Sequence, residues 1–259
     1  MTELRAPQPF DVASTRLLQP GGLAVPDLER VFGHVMARGV DRADLYFQHS
    51  RYESWVLEDG IVKEGSASIE QGVGVRAVAG EKTGFAYSDD IVLPSLIESA
   101  HAARAIARSG AETGAQALAR RQPTALYPAL DPIASLDSAS KVDWLRRIDA
   151  YARGLDARIA QVVVSLSAAM DTVLVASSDG VLAADVRPLV RLNVQVIAES
   201  GGRREQGTSG GGGRYSYEKL LDCDTGFLHA RIHLARLAID ALEPGDFLAR
   251  RETADRIDG

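Results

Sequence analysis

Two Asp-Gly pairs, Asp59-Gly60 and Asp179-Gly180, stand 120 residues apart, and strand-like runs flank each of them. Such a pair between alternating runs signals a tight hairpin, because aspartate tolerates and glycine favours the positive φ that these turns require. Around the first pair, residues 43–48, 54–57 and 61–63 read as strands. Residues 72–79 and 83–87 form another pair joined by Gly80-Glu81-Lys82. Ahead of this block, Leu28, Val31, Phe32, Val35 and Met36 recur at helical spacing and predict an amphipathic helix over 26–39. Behind it, Asp90 is placed to cap an Ala-rich helix running to about residue 108. The order then recurs. A helix over 138–157 carries Val142, Leu145, Ile148 and Leu155 on its apolar face, strands follow at 161–167, 173–176 and 189–198, and a final helix spans 215–242. Strands clustered between helices predict an α+β fold, antiparallel sheets with flanking helices, built by internal duplication of a helix–strands–helix unit.

This pattern divides the chain into a flexible N-terminal arm (1–25), a first α+β domain (26–110), a linker marked by Pro123, Pro128 and Pro132 (111–136), a central α+β domain (137–243) and a charged tail (244–259). With 259 residues and 46% hydrophobic content, the chain can bury a real core. Its formal charge is -6, and 25 arginines are scattered among 35 acids, which argues against a nucleic-acid or anionic-membrane partner. Cys223 is the only cysteine, so no intrachain disulfide can form and a reducing cytoplasm is expected. No basic-then-apolar leader and no membrane-length apolar run is present, so a soluble protein is expected.

Candidate chemistry is sparse. Gly72-Val-Gly74-Val-Arg-Ala77 fits a relaxed dinucleotide fingerprint, but Val75 and Val78 continue the strand through the glycines, where a helix should begin. His229 and His233 have i, i+4 ligand spacing, yet Ala230 stands where a zincin would carry its glutamate base. Cys223 adds only a single soft donor, and His34, His49 and His101 are isolated in sequence. No conspicuous set of residues suggests a Ser-His-Asp arrangement. The run Gly207, Thr208, Ser209, Gly210, Gly211, Gly212, Gly213, Arg214 lacks the Gly-Lys-Ser/Thr ending of a phosphate loop. Two readings stay open for it: a flexible loop, or a strand stripped of side chains so that a peptide backbone can lie against it. The residue set names no catalytic group and no metal ligand.

Three stretches carry a resemblance. They are Asp44-Leu-Tyr-Phe-Gln48 with Glu53-Ser-Trp-Val-Leu-Glu-Asp59; Gln71-Gly-Val-Gly-Val-Arg-Ala77 with Gly80-Glu-Lys-Thr-Gly-Phe-Ala-Tyr87; and Asp179-Gly180, the segment 182–192 and Ser209-Gly-Gly-Gly-Gly-Arg214. Together they resemble the N-terminal half of the TldD branch of the TldD/PmbA (TldD/TldE) family, over about residues 28–242. The resemblance implies a cytoplasmic zinc metallopeptidase that works as a heterodimer with a TldE (PmbA) subunit and degrades or matures unstructured peptides. An older label ties the family to DNA gyrase. Its H-E-x-x-x-H metal motif and cysteine ligand belong to the C-terminal half, and no His-Glu dipeptide occurs in these 259 residues.

Residues 244–259 depart from the family pattern, which continues into the catalytic domain. A truncation, a frameshift or a split gene would each account for that. Three functional readings follow: part of a zinc peptidase inactive until a C-terminal half or partner joins it; a non-catalytic module binding an extended peptide or a TldE-like subunit; and a decaying product with an exposed docking surface. The substrate-contact candidates are Gly207, Ser209, Gly210, Gly211, Gly212, Gly213 and Arg214.

Overall fold

Positive φ at Asp59 (51°) and Gly60 (74°) closes the first hairpin, as the Asp-Gly pair demands. In the computed structural model, which describes residues 8–36, 39–107 and 115–221, this turn joins β1 (Arg42–Glu58) to β2 (Ile61–Ala79). Gly80, at φ 58°, turns β2 into β3 (Lys82–Ser88). Helix α2 (Val25–Val35) precedes them, following the short α1 (Pro9–Ala13), and α3 (Leu93–Ala107) follows. The second block repeats this order as α4 (Ser138–Leu155), β5 (Ile159–Ser177), β6 (Val181–Ser200), β7 (Arg203–Gly213) and α5 (Tyr217–Leu221). Gly201 and Gly202, at φ 56° and 80°, make the β6–β7 turn.

Hydrogen-bonded neighbours run β3-β2-β1-β5-β6-β4, with β7 also on β6, in a seven-stranded, mostly antiparallel sheet. The exception is β4 (Ala119–Arg121), parallel to β6, which lies in the segment expected to be linker. The fold is therefore α+β with flanking helices, as the sequence predicts.

Several elements differ from the sequence reading. Runs read as separate strands fuse into strands of 17 to 20 residues. Periodicity misses the joins because residues 63–71 of β2 are exposed on both faces, so no alternation marks them. Residues 9–21, assigned to a flexible arm, are helical instead, with Ala13, Leu17 and Leu18 buried. Helix α3 begins at Leu93 with Pro94 in its first turn, so Asp90 lies outside it. On α4 the buried face holds Lys141, Leu145, Ile148, Asp149 and Ala152, while Leu155 is exposed.

The described residues form two compact units. Unit 1 draws on 1–51, 68–130 and 170–188, and unit 2 on 52–67, 131–169 and 189–259. Each unit is discontinuous in sequence: the tip of the β1–β2 hairpin counts with unit 2, and the tip of β5–β6 with unit 1. In unit 1 the core joins Leu28, Val31 and Phe32 of α2 to Leu45 and Phe47 of β1, Val73 and Val75 of β2, and Leu96 and Ala100 of α3. A Cβ on Gly84 would overlap the Ala103 carbonyl, so β3 lies on α3 only because residue 84 has no side chain. In unit 2 Leu145 and Ile148 pack with Val162, Val164 and Leu166 of β5, Val190 and Leu192 of β6, and Tyr217 and Leu220 of α5.

Candidate functional site

The glycine run is a strand. Residues 207–213 pair with β6 in antiparallel register, from Val196↔Gly207 to Val190↔Gly213. The run is therefore extended and not a loop. That also removes the phosphate cradle, because successive N–H groups of a strand point in alternate directions and do not converge on one anion. Among the described strands β7 pairs with β6 alone.

Close packing demands part of the glycine content. A Cβ on Gly212 would overlap the Val190 carbonyl, one on Gly210 would overlap the Asn193 side chain, and one on Gly213 would enter the Tyr215 ring. Asn193 is held from two sides. It accepts from Arg191 Nε at 3.0 Å and donates to Ser165 Oγ at 3.4 Å. Thr208, Gly212 and Arg214 are exposed, and Gly207 is buried. The candidate residues therefore lie on one short strand and its end.

Unit 2 also buries a charged cluster that sequence reasoning missed. Lys141, 3% exposed, places Nζ 2.6 Å from Oε1 of Glu53, itself 7% exposed. The ion pair is close but off-line, and Glu53 Oε1 receives no aligned hydrogen bond. The ammonium also donates to the Ile133 carbonyl at 2.9 Å and stands 5.3 Å from the centroid of the Tyr217 ring. Burial, then the Glu53 charge, pushes the Tyr217 hydroxyl well above the usual tyrosine range, so it stays protonated. The Tyr217 N–H donates to Ser135 Oγ at 3.0 Å. The cluster ties β1, α4 and α5 together. Its one sequence signal was a lysine in the same stripe as Leu145 and Ile148.

The histidines expected to be isolated are not all so. His34 Nδ1 and His101 Nε2 lie 3.1 Å apart, and Arg104 donates to the His34 carbonyl. His49 stands by itself, with a buried, unpartnered Nδ1. Burial, then the charges of Arg16 and Arg51, holds its pKa below the usual histidine value. Among the described residues no three His, Cys, Asp or Glu side chains are grouped to hold a metal ion. His229, His233 and Cys223 lie outside the described residues, as do most of the helix expected over 215–242 and the tail 244–259. Gly72 and Gly74 sit inside β2, which leaves no helix start for a dinucleotide.

Two family models match the chain: the PmbA/TldA metallopeptidase domain 1 over residues 43–107, and the PmbA/TldA metallopeptidase central domain over 131–243. A metalloprotease TldD homologue of Haemophilus influenzae is 46% identical over 219 residues, 84% of this chain and 45% of the relative. One from Buchnera aphidicola (subspecies Acyrthosiphon pisum) is 37% identical over 231 residues, 89% of this chain and 48% of the relative. The chain thus spans about half the length of the curated relatives it matches. Among solved structures, TldE from Thermococcus kodakarensis covers 82% of this chain at TM-score 0.60 and 15% identity, with 47% of that protein matched. A Thermotoga maritima protein named for a proposed modulation of DNA gyrase covers 83% at TM-score 0.63 and 16% identity, again with 47% of it matched. At such identities these two likenesses speak for the fold.

Proposed function

Because the chain belongs to the PmbA/TldD metallopeptidase family, we propose that it supplies the peptide-holding portion of a TldD-type metallopeptidase. In this reading it works in the cytoplasm with a TldE (PmbA)-like subunit or a separate metal-bearing half. The observation that supports it is β7, a glycine strand with a single partner among the described strands. A strand with one strand neighbour can offer N–H and C=O groups at a fixed repeat, which an extended backbone can satisfy whatever its side chains. Capture of that kind selects unstructured peptides, since a folded segment has its backbone groups occupied.

In a zinc peptidase the metal polarises the scissile carbonyl and activates water. The described residues do not fit such a metal, for they contain no convergent ligand set. No hydrolytic step is therefore assigned to them, and the chain alone is proposed to be inactive. A second reading, a purely non-catalytic peptide- or partner-binding module, draws on the same β7 edge.

The test is anisotropy of a labelled unstructured peptide titrated with the chain. Binding should tolerate scrambling of the peptide sequence and be lost when alternate peptide amides are N-methylated. Equal binding of the N-methylated peptide refutes strand addition. Methylating the peptide is a cleaner perturbation than Gly212→Val, which would collide with the Val190 carbonyl. Zinc-dependent cleavage by the purified chain would overturn the proposed inactivity. Cleavage that arises only when a metal-bearing half is added separates the peptidase reading from the module reading.

A further inference from the structure

On unit 1, the face of β1, β2 and β3 that carries Tyr46 and Tyr87 bears a groove of about 400 Å³. Its floor exists because two positions lack side chains. Gly72 and Gly74 share one face of β2 with Glu70, two residues apart each time, and both stand inside the strand. A Cβ on Gly74 would lie 2.9 Å from Cε2 and Cζ of Phe85, so that ring covers the glycine. A Cβ on Gly72 would lie 3.8 Å from Oδ1 of Asp89, so a carboxylate stands beside the next glycine along. Register sets Tyr87 opposite Gly74, which places a second ring beside the first. Tyr46 lines the groove from the neighbouring β1.

The three rings are unusually open to solvent: Tyr87 is 74%, Phe85 57% and Tyr46 41% exposed. No lysine or arginine lines the groove, whereas Glu70 and Asp89 both do. Arg76, opposite Phe85 in register, is engaged by the Asp44 carboxylate, with Nε donating at 2.9 Å. The lining thus combines aromatic faces and two carboxylates with no cation, and the bordering Arg76 and Arg187 are each held by a carboxylate, Asp44 and Asp185. Aromatic faces carry negative potential and attract ammonium and guanidinium groups, and nearby carboxylates add charge-assisted hydrogen bonds.

We propose that this groove is a binding site for an organic cation, a guanidinium or ammonium group, stacked among Tyr46, Phe85 and Tyr87 and neutralised by Glu70 and Asp89. The source is either a basic side chain of a peptide or a free amine, and the chemistry is the same. The site uses no residue of β7, so it stands or falls separately from strand addition.

The test is calorimetric titration of the full chain with an unstructured peptide holding one arginine, with the same peptide holding citrulline, and with N-acetyl-arginine amide. Citrulline keeps the shape and loses the charge. The arginine peptide should bind about five- to tenfold more tightly than its citrulline twin. Tyr87→Ala, and Glu70→Gln combined with Asp89→Asn, should each remove about three- to tenfold of arginine affinity. Both should lower citrulline binding less than arginine binding, and neither should alter the unfolding midpoint, since these side chains are exposed. An N-acetyl-arginine amide as tight as the peptide identifies a free cation as the source; a weaker one identifies a peptide side chain. Equal affinity for arginine and citrulline, or arginine affinity unchanged in both variants, overturns the proposal.

Discussion

Replacing Lys141 with methionine isolates the energetics of the buried cluster in unit 2. Methionine keeps the length and most of the apolar stem of lysine, so packing against Leu145 and Ile148 is largely preserved. What disappears is the ammonium 2.6 Å from Glu53 Oε1, together with its bond to the Ile133 carbonyl. Glu53, 7% exposed, is then a buried carboxylate with no counter-charge. Removing one partner of a buried ion pair costs about 3–5 kcal/mol, against about 0–1 kcal/mol for an exposed pair. For a chain of this size each kcal/mol moves the thermal midpoint by about 2–4 °C, so Lys141→Met should lower it by about 6–20 °C.

Tryptophan fluorescence is the right probe, because both tryptophans of the chain, Trp55 and Trp144, belong to unit 2. The double variant Lys141→Met with Glu53→Gln leaves no unpaired charge and should recover most of the loss. A single-variant loss under about 1 kcal/mol would place the pair with surface salt bridges and refute the reasoning. So would a double variant as damaged as the single one.

Two further outcomes follow from the geometry. Gly84→Val should destabilise unit 1 by about 1–3 kcal/mol, because its Cβ must push β3 away from the Ala103 carbonyl; unchanged unfolding by circular dichroism would count against that close approach. His49 should titrate below the usual histidine value in proton-detected NMR. A depressed folded pKa means its contribution to stability is full above the unfolded value and is lost as pH falls through the folded one. The parent should therefore lose more stability than His49→Gln between about pH 7 and 5, and identical pH profiles would show that His49 titrates freely.

Local chemistry made some of this molecule legible in the sequence. Asp59-Gly60 turns where the pair predicts, because positive φ at two successive residues is a property of those residues alone. The helical spacing of Leu28, Val31, Phe32 and Val35 finds α2, and Asp137, accepting from the Ser140 N–H at 2.8 Å, starts α4 within a residue of its expected place. The position of the glycine run was equally plain, but not its state, since a loop and a bare strand have the same composition.

Tertiary structure decided that β7 is a strand, because the answer lies in hydrogen bonds to β6. It also buried Lys141 beside Glu53, 88 residues away, and brought His34 to His101. The sequence by itself determined the Asp59-Gly60 turn, helices α2 and α4 and the family likeness, each of which is set by neighbours along the chain. The edge, the charged cluster and the aromatic groove exist only through pairings between distant residues, which no local pattern encodes.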